Sequence, residues 1–152
     1  MRDVRLPLLG VVVTAALALA VVFAQNEESF STRLSVVPID GAMSATHSGS
    51  GYVTAVLTNS TLELHGHFEG LSTPATAAHV HLGDVAVQQG DDPGAIVFEL
   101  DVTNDTSGEV SANAELSEED IENLRSHRLY VLIHTEQNPV GEIRGWLMPA
   151  NE

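Results

Sequence analysis

Two His-x-His pairs, His65/His67 and His79/His81, are the residues in this sequence whose types and spacing most invite chemistry. On a β-strand, residues i and i+2 share one face, so each pair sets two imidazoles side by side. Nitrogens so placed suit a borderline transition metal such as copper or zinc. The pairs differ in their surroundings. His65 and His67 alternate with Leu64, Gly66 and Phe68 and stand among Glu63 and Glu69. That pattern is the solvent face of a half-buried strand. His79 and His81 lie among Ala75, Ala77, Ala78, Val80 and Leu82, where burying an imidazole without partners is costly. His134, in the apolar run Tyr130–Thr135, faces the same cost. If the two apolar runs are neighbouring strands, His79, His81 and His134 form a three-nitrogen site for a copper or zinc ion. The other outcome is three core histidines, each hydrogen-bonded to a main-chain carbonyl.

Two charged residues, Glu142 and Arg144, follow His134 across a loop that holds Asn138-Pro139 and Gly141. They read as a structural ion pair that closes the hairpin or binds loop carbonyls. Arg144 shares a face with His134 if the two residues pair directly. A one-residue slip puts them on opposite faces, and the sequence leaves the register open.

The remaining composition excludes much else. There is no cysteine, hence no disulfide, no thiolate metal site and no cysteine nucleophile. All six basic residues are arginine, so lysine Schiff-base chemistry and a P-loop are absent. Six basic residues against 21 acidic ones, a formal charge of −15 in 152 residues, argue against binding nucleic acid or an anionic membrane. No G-x-S-x-G, H-E-x-x-H, EF-hand loop or dinucleotide fingerprint occurs, and no catalytic residue is assigned.

The elements that must position the histidines are strands. Ser50–Leu57 reads as a strand ending at the turn Asn59-Ser60, and Leu62, Leu64, Gly66 and Phe68 alternate with polar residues in the next. Ala77–Leu82, Ile96–Leu100 and Glu109–Leu116 follow between turn clusters. Arg128–Thr135 and Glu142–Met148 form a last hairpin. One helix is signalled, with Ser117 as N-cap and Glu118, Glu119 and Asp120 in its first turn; it ends near Ser126. The expectation is an all-β, antiparallel, Greek-key-like sandwich with one short helix, occupying residues 26–152. Ahead of it, Leu6–Ala24 is uncharged and ends in Val22-Phe23-Ala24 after a short basic segment. This reads as a signal peptide cleaved after Ala24 and places the protein in a secreted or extracytoplasmic compartment. The alternative is an uncleaved anchor, since the run spans roughly 28 Å as a helix.

The segments Ala78-His79-Val80-His81, Leu129–Thr135, Asn138-Pro139 and Gly141–Leu147 resemble the CHRD domain, a family named from chordin whose domain also occurs alone in secreted bacterial proteins. The similarity runs from about Phe30 to Met148, with Trp146 standing where glutamine is usual. It implies a secreted β-sandwich, a fold and an address more than a reaction, and an extracellular or cell-envelope protein is the partner class that such an address suggests. His47, His65, His67 and His127 are not part of the family pattern. A weaker similarity links the order of His79, His81, His134 and Arg144 to copper/zinc superoxide dismutases. It implies copper on the three histidines and Arg144 as an anion guide. The bridging histidine and the zinc histidines of those enzymes have no counterpart between Leu82 and Val97; Asp84, Asp91 and Asp92 stand there instead. Three readings follow: a non-enzymatic metal-binding module, a metal-free structural or interaction domain of the cell envelope, and a dismutase-like copper enzyme.

Overall fold

The computed structural model describes residues 26–37, 46–83 and 93–150. The expected signal segment and Asp84, Asp91 and Asp92 lie outside the described residues. The elements run β1 (Glu27–Val36), β2 (Ser50–Thr58), β3 (Thr61–Glu69), β4 (Ala75–Leu82), β5 (Ile96–Val102), β6 (Gly108–Glu115), α1 (Glu118–Arg125), β7 (Leu129–Thr135), β8 (Ile143–Trp146) and β9 (Met148–Pro149). Among the described residues, no helix is long and apolar enough to cross a membrane.

The strands pair in the order β2-β3-β6-β5-β4-β7-β8-β1, and β1 pairs in turn with β2. Every pairing is antiparallel. The result is one closed, barrel-like sheet where two facing sheets were expected. The correction has one cause, which is β1. This strand pairs with β2 from Glu27↔Thr58 to Ser35↔Ser50 and with β8 at Ser35↔Arg144 and Val36↔Ile143. Its sequence, EESFSTRLSV, is mostly polar and lacks a strong strand signal. Yet Phe30, Thr32 and Leu34 alternate inward and are buried, as the period of two requires. Closure removes the free edges that a sandwich would keep.

The barrel interior is filled from both sides of the ring by residues such as Leu34, Val53, Leu64, Phe68, Val80, Val131 and Ile143. Helix α1 lies between β6 and β7. The Ser117 side chain accepts from the Asp120 amide, the acidic first turn meets the positive end of the helix dipole, and Leu124 is fully buried. Arg125 at its end forms a bidentate pair with Glu28, tying the helix to β1.

Where β8 meets β1, a glycine is needed. A Cβ on Gly145 would lie 2.5 Å from the Arg33 carbonyl and 2.3 Å from the Thr32 hydroxyl. Gly145→Ala should therefore push apart the strands that close the ring. The expected cost is about 1–3 kcal/mol. It would appear as a lower urea midpoint at unchanged slope. An unchanged midpoint would show that the closure tolerates a wider gap.

Candidate metal centre

Register decides which side chains meet. Strand β4 pairs with β7 through His79↔Leu132, Val80↔Val131 and His81↔Tyr130. Strand β7 pairs with β8 through Tyr130↔Trp146, Ile133↔Ile143 and Leu132↔Arg144. One face of this trio, carrying Val80, Val131, Ile133 and Ile143, packs in the barrel core. The other face carries His79, His81, Tyr130, Leu132, His134, Arg144 and Trp146. The three histidines thus sit on the outside of the barrel wall rather than in its core. A register shift between Ala75 and Ala77 lets Ala75, Ala78 and Val80 all be buried while His79 and His81 keep the outer face.

This outer face is not bare. His81 and His134 are 1% and 7% exposed, while His79 is half-buried. The His81 ring stacks on Tyr130 with centroids 5.4 Å apart and planes 19° apart. The Tyr130 hydroxyl donates to the Pro93 carbonyl. Trp146 packs against Tyr130 at 4.9 Å, and its ring fills the space where a Cβ on Gly83 would lie. Trp146 thus supplies part of the aromatic cover.

The side-chain nitrogens of His79, His81 and His134 that could bind an ion all lie within 4.8 Å of one another. A common centre is then no more than about 2.8 Å from each, against metal–nitrogen bonds of about 2.1 Å. Small ring movements would bring them to bonding distance. The hydrogen bonds assign the tautomers. Carbonyls only accept, so His134 Nδ1 donates to Pro139 O at 3.0 Å and His81 Nδ1 donates to Gly94 O at 3.1 Å. His134 Nε2 then carries a lone pair and accepts from His79 Nδ1 at 3.0 Å. Burial lowers the His134 pKa; its bond to Pro139 works against this, and the neighbouring His79 and His81 add to the lowering. The value falls to about 4, so the ring is neutral at pH 7 and its nitrogen is available as a ligand.

One feature of each outcome foreseen for these histidines occurs here. The rings converge, and two of them bind main-chain oxygens. The carbonyl bonds use Nδ1, so coordination by His81 and His134 would use Nε2. His65 and His67 are exposed on the outer face of β3, and His65 Nε2 lies 3.1 Å from Glu63. They do not join the cluster.

Arg144 pairs with Leu132, two residues from His134, an offset that keeps both on the outer face. Its guanidinium carbon lies 5.8 Å from the centre of the Tyr130 ring. No ion pair joins it to Glu142 among the described residues, so the expected Glu142–Arg144 bridge is corrected. Glu142 is instead fully buried. It accepts from Ser48 N (2.9 Å), Ser72 N (3.0 Å), Ser72 Oγ (2.8 Å), Thr135 Oγ1 (2.7 Å) and Asn138 Nδ2 (2.6 Å). Burial alone would raise its pKa. The bonds from Asn138, Ser48, Thr135 and Ser72 outweigh burial and hold it at about 2. Serine, threonine and amide donors thus replace the guanidinium that a hairpin reading supplies.

The CHRD domain model matches residues 21–147, most of the chain. The chain belongs to the CHRD domain family. No curated protein and no solved structure matches it. The matched part of the chain includes the three clustered histidines and the partners of Glu142 named above. Sequence reasoning missed Tyr130 and the Ser48–Ser72–Thr135 set. The parity of Tyr130 with His134 in β7 is a signal that could have found the first. Nothing local marks Ser48 or Ser72, whose roles arise from residues 94 and 70 positions away.

Proposed function

We propose that this CHRD domain is an exported, non-enzymatic module that binds one copper or zinc ion through His79, His81 and His134. One observation carries the reading: three imidazoles converge, and two have their Nδ1 protons held by main-chain carbonyls. A metal-ligating histidine characteristically donates its other ring N–H to such an oxygen, which fixes the tautomer. Imidazole is also a ligand both copper and zinc favour. An entering ion must replace the His79–His134 hydrogen bond. Export is supported by the basic, apolar and Ala-terminated pattern of residues 1–24, and a cell-envelope or extracellular protein is the partner class consistent with it.

The test is metal analysis of tag-free protein after mild dialysis, followed by calorimetric titration with copper and zinc. Uptake approaching about one ion per chain is expected. Retention of less than roughly a tenth of an ion, with no titration heat, would overturn the proposal.

The second reading is a metal-free interaction domain. It is favoured by the same hydrogen bonds, since Gly94, Pro139 and His79 already give the rings partners. Under it, His79→Ala would cost stability without any effect of added metal on the unfolding temperature.

A further inference from the structure

We propose that Glu142 is the positioning residue of the three-histidine site: its carboxylate clamps the loop after β7 so that the Pro139 carbonyl stays on His134 Nδ1. The effect on metal binding rests on the function proposed above; the effect on the His134 tautomer does not.

The carboxylate holds both ends of the contact it serves. It binds Thr135 Oγ1, on the residue next to His134, and Asn138 Nδ2, on the residue next to Pro139. Thr135 Oγ1 in turn accepts from the Asn138 amide at 3.0 Å. Asn138 also bonds the Thr46 carbonyl, and Gly141 N donates to Asn138 O. The loop is thus hung from one buried anion that the Ser48 and Ser72 amides anchor from two other segments.

The Pro139 contact has a role that no other bond at the site can take. The His79–His134 hydrogen bond works in either direction, because each ring can be donor or acceptor. It does not choose a tautomer. The Pro139 carbonyl does, since it accepts only. If that oxygen moves away, His134 can carry its proton on Nε2 and point it at His79, where it blocks the atom an ion needs.

Five donors meeting one group explain why the residue is a carboxylate, which only accepts. Its amide isostere would place an NH2 against them. The Ser48 and Ser72 main-chain amides cannot turn, so the amide oxygen must face them. The NH2 then faces Ser72 Oγ and Thr135 Oγ1, which can rotate, and Asn138 Nδ2, which can adjust only by giving up Thr46. Glu142→Gln therefore loosens the Asn138 side, where the loop is held.

The experiment uses 15N-histidine-labelled protein at a fixed pH near 8. The ring-nitrogen shifts of His134 are read without metal, and zinc and copper affinities are then measured by titration. Wild type should show His134 protonated on Nδ1 alone. Glu142→Gln and Asn138→Ala should each bring in a substantial Nε2-protonated fraction and lower affinity by roughly tenfold, the range seen when a ligand's outer partners are lost. A His134 ring still locked on Nδ1 in the folded variants would overturn the clamp, and so would a locked ring in Asn138→Ala if Glu142→Gln does not fold. Absence of metal binding by wild type would sink the proposed function, while the tautomer readout would still decide the clamp.

Discussion

His134→Ala is expected to weaken copper or zinc binding about a hundredfold while leaving the barrel folded. The magnitude follows from structural zinc sites, where about 10–16 kcal/mol is shared among four ligands. Each ligand then contributes about 3 kcal/mol, or two decades in affinity. His134 is the best residue to remove because its ring links strand β4 to the loop after β7: one nitrogen meets Pro139 and the other meets His79. The side chain lies on the outer face of β7, away from the packed interior formed by Val131 and Ile133. Its loss should therefore leave the circular-dichroism spectrum unchanged. His65→Ala is the matched control, because that ring is exposed and lies against Glu63, away from the cluster. Competition titration against a chelator of known affinity checks both. Equal affinities in the three proteins would remove His134 from the ligand set.

Acid should destabilise the domain through Glu142. Its pKa is 4.5 for the unperturbed group and about 2 in the fold, so the folded state binds fewer protons between those values. The stability it contributes is complete above about pH 4.5 and is lost as pH falls through about 2. The full difference corresponds to about 3 kcal/mol. The physical source is the set of five donors, all of which prefer the anion. Urea unfolding followed from about pH 5 to pH 2 should show a steep loss in wild type and a flatter one in Glu142→Gln. Glu28 and Glu115 also have lowered pKa values, from the hydrogen bonds of Arg125 and of Ser60 and Thr61 respectively. Both remain in the variant, so the difference between the two curves isolates Glu142. Parallel curves would mean that the donors stabilise the neutral acid equally well.

The site was partly legible before any fold was known. The polar neighbours Glu63 and Glu69 separated the exposed His65/His67 pair from His79/His81, and the apolar run around His134 marked a third ring that needed a partner. The position of these rings was less legible. Every residue of β7 is buried, so the run Leu129–Thr135 shows no alternation from which to tell the core face from the outer one. An apolar run is equally compatible with a core on either face, and the outer face is covered by Pro93, Gly94, Pro139 and Trp146. Glu142 and Arg144 read as an ion pair closing the hairpin, or as groups that bind loop carbonyls, because they follow His134 across its loop. The carboxylate instead bonds Thr135 and Asn138 and reaches Ser48 and Ser72, while Arg144 turns to Tyr130.

By itself the amino-acid order determined the β character, the capped helix at Ser117, the family and the identity of the three candidate ligands. Each of these is written in local periodicity, in cap and turn chemistry, or in short motifs. Only the tertiary structure decided that the sheet closes on itself, that β4 and β7 are neighbours in the register that aligns His79, His81 and His134, and that Glu142 binds neutral donors. Those outcomes depend on which strands hydrogen-bond across long stretches of chain. Pairing of that kind is chosen by the packing of the whole barrel, and the weakly patterned β1 is the strand that completes it.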